Sequence, residues 1–344
     1  MGKVINLTCS SPSTVNVTGT WTLNPYLKAT YSWTNAPSGI KLPDGGSKYK
    51  KNDKVVVDTT YVKDDLQDTI GLASKSYSID MNYNWKAVCY GNGRFVAIAS
   101  NTNVCAYSTD GINWNQGTMP SSQEWCDICY NGYFIAIAMD SDTVASSYNG
   151  NYWDAYTLPS SQLWSAICGK KENGNNGFIA VSGALYAASN VFAYSTSYSG
   201  STWTQGTMPS SQEWCDICYD NNKYVAIALS GNIYAYSSDG ITWTQGTLPS
   251  SQLWSAVCYG NDKFVAITNN NNIYAYSSDG ITWTQGTLPS SQLWCDICYG
   301  KNYFVAIASN SDVYAYSSDG ITWTQGILSN TIASKLCYGN DKYL

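Results

Sequence analysis

Cysteine is the residue whose spacing first points to chemistry. Cys-x-x-Cys pairs, a spacing that also occurs in zinc and redox sites, begin at Cys126, Cys215 and Cys295. Residues three apart on a β-strand point to opposite faces of the sheet, so the two sulfurs of such a pair cannot bind one metal ion. We therefore expect neither a metal site nor a cofactor, and we expect these thiols to fill a crowded inner strand.

Catalytic chemistry has few candidates. The chain has no histidine, which excludes Ser-His-Asp and Cys-His nucleophile systems, and Arg94 is its one arginine, too few to clamp a sugar carboxylate as sialidases do. Two carboxylates would suffice for a glycosidase, but Asp127, Asp216 and Asp296 are copies of one repeat position. An active site is normally a unique arrangement. We therefore expect that the protein is not an enzyme.

A linker of the form Pro-Ser-Ser-Gln-(Leu/Glu)-Trp recurs along the chain. An amide beside an indole suits a sugar, because the amide bonds hydroxyl groups and the indole stacks on the apolar face. The alternative is that tryptophan packs between repeats and glutamine ties down the linker backbone. The candidate ligand-binding residues are Gln123, Trp125, Gln162, Trp164, Gln212, Trp214, Gln252, Trp254, Gln292 and Trp294.

Four Asp-Gly dipeptides stand in equivalent turns. Asp110, Asp239, Asp279 and Asp319 are expected to hold these turns by accepting bonds from backbone amides. Calcium binding is a remote alternative, because no run carries several oxygen ligands at the required offsets.

These motifs belong to tandem repeats of about 40 residues. Each repeat predicts four short strands between Gly-, Asn- and Asp-rich turns, and hence the blade of an all-β propeller. Glu-Trp-Cys-Asp and Leu-Trp-Ser-Ala starts alternate, which indicates a duplicated two-blade unit. The repeats begin at Trp85, Trp125, Trp164, Trp214, Trp254 and Trp294, with a partial seventh at Ala333.

The partial seventh repeat indicates how the chain is divided into domains. We expect a propeller over residues 55–344, with seven blades preferred and six as the alternative, in which residues 55–80 help to close the ring. Residues 1–54 lack the repeat and are expected to form a small N-terminal β module. Seven cysteines at one repeat position are expected to be reduced and buried on inner strands, namely Cys89, Cys129, Cys168, Cys218, Cys258, Cys298 and Cys337.

Net charge and hydropathy limit the classes of partner that we expect for this protein. The net charge of −6 lacks the positive field that binds phosphate backbones, so we expect no nucleic acid. The longest apolar runs are about five residues, far short of the roughly 20 needed to span a membrane, so we expect no membrane insertion. The opening residues are polar, and we expect no signal peptide.

The segment from Ser108 to Trp114, Ser-Thr-Asp-Gly-Ile-Asn-Trp, recurs almost unchanged from Ser237 to Trp243. It resembles the Asp-box of sialidase-like (BNR) propellers, Ser/Thr-x-Asp-x-Gly-x-x-Trp, but lacks one residue between Asp and Gly. The second and third repeats restore that spacing and place Tyr148 or Tyr198 in the Asp position. Similar Tyr- and Trp-rich repeats occur in tail and fibre proteins of phages and prophages.

This resemblance implies a phage or prophage virion protein, assembled in the host cytoplasm and acting outside the cell. Its propeller would bind a host-surface polysaccharide or glycoprotein, and its N-terminal module would contact other virion proteins. The alternatives are a bacterial lectin-like propeller and a purely structural spacer or decoration protein. We call the surface formed by the Pro-Ser-Ser-Gln-(Leu/Glu)-Trp linkers the linker face. If it is only scaffold, the binding surface is expected in the irregular third blade, around Lys170 to Asn176, or in the N-terminal module.

Overall fold

The computed structural model describes residues 82–172, 175–328 and 334–344. The expected N-terminal module and the closing segment 55–80 lie outside these ranges. Within them the chain is built of β-strands, and no helix is long and apolar enough to cross a membrane. The strands are β1 (Trp85–Gly91), β2 (Arg94–Ala99), β3 (Thr102–Ser108), β4 (Asn115–Gln123), β5 (Trp125–Tyr130), β6 (Phe134–Ser147), β7 (Asp154–Glu172), β8 (Asn175–Ser182), β9 (Ser189–Ser195), β10 (Thr204–Gln212), β11 (Trp214–Asp220), β12 (Lys223–Ala228), β13 (Ser230–Ser237), β14 (Thr244–Gly260), β15 (Lys263–Ser277), β16 (Thr284–Gly300), β17 (Tyr303–Ala308), β18 (Val313–Ser317), β19 (Thr324–Ile327), β20 (Tyr338–Gly339) and β21 (Lys342–Tyr343).

The strands form antiparallel four-stranded blades, as the repeats predict. Blade one is β1 to β4. β7, β14 and β16 each run from the outer segment of one blade into the inner segment of the next, while β6 and β15 each hold the second and third segments of a blade. Blade two therefore begins at β5, blade three within β7, blade four at β11, blade five within β14 and blade six within β16. β20 and β21 begin blade seven.

Turn chemistry sets the register of the first two segments of a blade. Asn261 and Asp262 have φ of 42° and 57°, the left-handed pair that a two-residue hairpin of type I′ requires. The second segment that follows reads Phe264-Val265-Ala266-Ile267 and is fully buried, because blades cover both of its faces.

The ring closes through the C-terminal strands. β20 contacts both β16 and β1, so the inner segments of seven blades neighbour one another in sequence order around the ring. A Cβ at Gly300 would lie 2.0 Å from the Tyr338 ring, and one at Gly339 would lie 1.9 Å from the Tyr90 ring. The glycine–tyrosine contact that joins blade six to seven thus also joins blade seven to one. This agrees with seven blades rather than six.

Candidate functional site

The tryptophans of the linker series are core residues. Trp125, Trp164, Trp214, Trp254 and Trp294 are each 0% exposed. In Trp214 and Trp254 the indole Nε1 donates to a backbone carbonyl 3.0 Å away. These rings pack between blades, as the alternative interpretation of the linker has it, and no ring face is open to a ligand.

The linker glutamines are half-buried and bonded within their own linkers. The Nε2 of Gln212 and of Gln252 donates to the serine hydroxyl two residues earlier at 3.3 Å, and Asn271 Nδ2 donates to Gln252 Oε1 at 2.8 Å. Gln123, Gln162 and Gln292 make the same serine contact at 3.4, 3.2 and 3.4 Å. Their part in sugar binding stays a prediction.

The turn aspartates accept backbone amides. Asp279 Oδ1 accepts from Ile281 N at 2.8 Å and Thr282 N at 2.7 Å, and the Ser277 hydroxyl donates to it at 2.9 Å. Burial acts to raise the pKa of Asp279, but these donors outweigh it and lower the pKa to about 2. The equivalent bonds form at Asp110, Asp239 and Asp319.

Blade two corrects the expected alignment of this turn. Asn149, not Tyr148, occupies the aspartate position, because Asn149 Oδ1 accepts from Asn151 N at 3.0 Å and Tyr152 N at 3.1 Å. The spacing in blade two is therefore the same as in blade one. The Tyr148 side chain lies outside these turn bonds, and the residue is 57% exposed.

Tyr148 belongs to a group of three tyrosines at the junction of blades two and three. The ring of Tyr133 lies 5.5 Å from that of Tyr148 and 5.3 Å from that of Tyr198, both edge-on. Tyr198 is 52% exposed and lies so close to Gly132 that a Cβ there would meet its hydroxyl at 2.6 Å. We call Tyr133, Tyr148 and Tyr198 the tyrosine surface.

The tyrosine surface arises where the repeat changes. The position of Tyr133, just before the buried aromatic of the second segment, holds Arg94 in blade one and Lys342 in blade seven. Each of those cations donates to a carbonyl in the Asp or Asn turn of the next blade, at 3.1 Å. In blade two a phenol ring replaces the cation and contacts aromatic neighbours instead. The sequence shows this substitution at the repeat position, but only the structure brings the three rings together.

A pocket of about 320 Å³ adjoins the tyrosine surface, between blades three and four. Tyr198 lines both. The polar groups of the pocket come from Lys170, Ser195, Thr196 and Asp239. The pocket includes Lys170, which belongs to the irregular third blade that the sequence analysis names as an alternative binding surface.

The cysteines are thiols without a metal-like arrangement. All the cysteines in the described ranges are free, and no three potential ligands there lie close enough to hold a metal ion. Cys168 and Cys337 are buried, but the other five of the seven equivalent cysteines are only half-buried, which corrects the expectation of full burial. Desolvation by burial raises the pKa of all seven, so these thiols stay protonated at neutral pH.

The repeated aspartates of the inner segments join blades in pairs. Asp216 Oδ1 accepts from Ile217 N at 2.8 Å in its own blade, and Asp216 Oδ2 accepts from Val257 N at 2.7 Å in the next. Asp127 makes the same two bonds across blades two and three, and Asp296 across blades six and seven. Inner segments end a sheet, so these carboxylates satisfy amides that no further strand reaches.

Lys335 interacts electrostatically with these carboxylates. It holds the repeat position of the aspartates in blade seven, and their charges raise its pKa, with Asp296 the largest contributor. Desolvation raises the pKa of Asp127 to about 6 and that of Asp216 to about 7, although Lys335 and the amide donors act against it. Sequence reasoning treated these acids as repeat copies and missed the charge cluster.

Ring closure and repeated blades define this chain as a β-propeller. Residues 175–291, less than half of the chain, match the family model of the DUF6242 beta propeller domain. No curated protein matches the sequence. Among solved structures, a streptogramin B lyase has a TM-score of 0.68 at 11% identity, covering 78% of this chain and 91% of its own. Virginiamycin B lyase from Staphylococcus aureus has a TM-score of 0.66 at 10% identity, with coverages of 76% and 90%. YCF48 from Cyanidioschyzon merolae has a TM-score of 0.57 at 12% identity, with coverages of 77% and 91%.

These comparisons correct one expectation. We expected a protein that is not an enzyme, yet streptogramin B lyase, an enzyme, shares the architecture. A symmetric propeller of this kind therefore gives no ground for excluding catalysis. At 11% identity the likeness shows the fold alone and assigns no lyase activity to this chain.

Proposed function

We propose that this propeller binds glycan, and that its site is the tyrosine surface together with the adjoining pocket. One observation carries the proposal: three tyrosines meet at the junction where blades two and three depart from the repeat. Blade six also has a tyrosine at this position, but Tyr303 packs on Tyr316 within a core cluster, whereas Tyr133 contacts two half-exposed rings. Grouped exposed aromatics beside a polar pocket are typical of sugar recognition.

The chemistry of the site suits a neutral or acidic sugar. The half-exposed rings of Tyr148 and Tyr198 present apolar faces to the sugar ring. Ser195 and Thr196 supply hydroxyl groups in the pocket, and Lys170 supplies a cation there. One such site would bind in the millimolar range, about −4 kcal/mol, and several copies on one particle would add avidity.

The setting we propose is a phage or prophage virion, with a host-surface polysaccharide or glycoprotein as ligand. The Tyr- and Trp-rich repeats and the resemblance of the Asp-Gly turns to the Asp-box support this setting. The linker glutamines are the second candidate site, because they are half-buried residues that recur in five linkers. A lectin-like protein outside a virion would use either site in the same way.

A glycan array tests the proposal. The parent chain should bind a defined set of glycans, and a Tyr148→Ala, Tyr198→Ala double variant should lose about tenfold or more in apparent affinity. Tyr152→Ala is the matched control, since Tyr152 is 78% exposed on the same turn but outside the tyrosine surface. A double variant that stays folded and binds like the parent would refute the site, and a parent that binds no glycan would refute the function.

A further inference from the structure

A second pocket, of about 290 Å³, lies where the inner segments begin. It is separate from the tyrosine surface and shares no residue with the pocket there. We call it the axial pocket, and its polar lining includes Lys86, Ser100, Glu124, Ser165, Glu213 and Lys335.

Ser100 marks the axial pocket as a place for a polar ligand. The residue is 4% exposed, and its hydroxyl oxygen has no hydrogen-bond partner in the described part of the chain. A buried hydroxyl without a partner is costly and rare in a native protein. A ligand that donates a hydrogen bond in this pocket would satisfy it.

The charges around the pocket favour a cation. Lys335 lines it, and three carboxylates interact with that one ammonium, namely Asp127, Asp216 and Asp296. Of the other charged groups that line the pocket, Lys86 is exposed, Glu124 is exposed, and Glu213 is bonded to Tyr186 N at 2.6 Å and Ser230 Oγ at 2.9 Å. The lining itself holds two ammonium groups and two carboxylates, so the surplus of negative charge comes from the three aspartates that interact with Lys335.

The remaining lining selects the kind of cation. No three carboxylates or thiols in the described ranges lie close enough to coordinate a metal ion. Met139, Leu185 and Leu229 give the axial pocket an apolar wall, and Leu185 is 57% exposed. An apolar wall beside acceptors and surplus negative charge matches an alkyl chain that ends in an ammonium group.

We propose that the axial pocket binds a primary alkylammonium group, which donates to Ser100 Oγ and shares the carboxylate cluster with Lys335. Lys335 acts as an internal competitor, because its own ammonium occupies the field that the ligand would use. The site is independent of glycan binding.

Calorimetric titration of the full chain tests this proposal with 1,4-diaminobutane and Nα-acetyl-lysine amide as probes. Both should bind saturably, and n-butanol, which lacks the charge, should not. Binding of diaminobutane alone would identify a free amine as the ligand, and binding of the lysine derivative alone would identify a peptide lysine side chain.

Three variants distinguish the proposal from a structural role. Lys335→Met should bind the amine about tenfold more tightly, because the competitor is gone, whereas Ser100→Ala and Asp216→Asn should each bind more weakly by about threefold to tenfold. Asp319→Asn, in an equivalent turn that lines neither pocket, is the control and should leave amine binding unchanged. If Lys335→Met is too unstable for titration, the amine should raise its melting temperature more than sodium chloride does at equal ionic strength.

Two results would overturn the proposal. One is the absence of saturable binding of either amine to the parent. The other is Ser100→Ala binding like the parent together with Lys335→Met showing neither tighter binding nor rescue by amine.

Discussion

At the residue scale, the turns of the outer segments require an oxygen acceptor rather than a charge. Asn149 makes in blade two the two amide bonds that Asp279 makes in blade five. Both of those bonds go to a single oxygen, Oδ1, which an amide side chain also has. The glycine that follows has φ of 68° in blade five and 73° in blade two, and that left-handed conformation favours glycine.

We therefore expect Asp279→Ala and Asp279→Asn to differ. The alanine variant leaves two turn amides without their side-chain acceptor and should lose about 1 kcal/mol of unfolding free energy. The asparagine variant keeps Oδ1 and should lose much less. Urea unfolding at neutral pH measures both, and equal losses would mean that the charge, not the acceptor, holds the turn.

Sequence reasoning worked best for such local chemistry. The roles of the turn aspartates follow from neighbours two and three residues away, so the sequence contains all that determines them. The burial of Trp254 does not follow from nearby residues in the sequence, because it depends on packing against the adjoining blade. The tyrosine surface joins residues up to 65 positions apart, from Tyr133 to Tyr198, and no single repeat reveals it.

At the element scale, the aspartates of the inner segments, Asp127, Asp216 and Asp296, explain the two-blade period of the sequence. One aspartate accepts an amide from its own inner segment and one from the next, so alternate blades need only alanine at that position. Seven blades cannot be divided into pairs. The aspartates join blade two to three, four to five and six to seven, so blade one, with Ala87 at this position, is the unpaired blade. In blade seven Lys335 takes the place that alanine has in blades three and five.

This arrangement predicts an unusual dependence of stability on pH. The pKa of Asp216, about 7, and that of Asp127, about 6, lie above the unfolded value near 3.9, so the folded state binds the extra protons and stability should fall as pH rises from about 4 to about 8. Asp239, with its pKa of about 2, acts oppositely, and its contribution is lost as pH falls from about 4 to about 2. The melting temperature should therefore be highest near pH 4 to 5.

Substitutions test which aspartates cause the two branches of the plot of melting temperature against pH. An Asp127→Asn, Asp216→Asn double variant should reduce the slope between pH 5 and 8, with a remainder from Asp296, whose pKa burial also raises. Asp239→Asn should reduce only the acid branch. The raised pKa of Lys335 leaves it charged throughout this range, so it adds no slope. A parent whose melting temperature rises between pH 5 and 8 would contradict the charge cluster.

At the scale of the whole molecule, a short C-terminal segment closes the ring. Tyr343 is 1% exposed and donates to Tyr303 O at 2.6 Å, while Asn340 Nδ2 donates to Thr109 O at 3.2 Å. The segment thus bonds blade six on one side and blade one on the other. The partial repeat predicted this closure from sequence, because six full repeats and a fragment favour a seventh blade.

Deleting residues 334–344 should open the edges of the first and sixth blades and cause aggregation or a large loss of stability. Tyr343→Phe is the graded control, since it keeps the strand and removes only the hydroxyl bonds, with an expected loss of about 1–3 kcal/mol. Thermal melting with light scattering measures both. A truncated chain that melts like the parent would mean that six blades close without it.

Two surfaces of the propeller are candidates for glycan binding, the tyrosine surface and the linker face. Two folded variants of the same chain decide between them: Tyr133→Ala, Tyr148→Ala, Tyr198→Ala on one side, and Gln212→Ala, Gln252→Ala, Gln292→Ala on the other. Their binding to a glycan that the parent retains on an array is measured side by side, after thermal melting has matched their stability. We predict that the tyrosine variant loses binding while the glutamine variant keeps it. Loss in the glutamine variant with binding intact in the tyrosine variant would contradict this and place the site on the linkers.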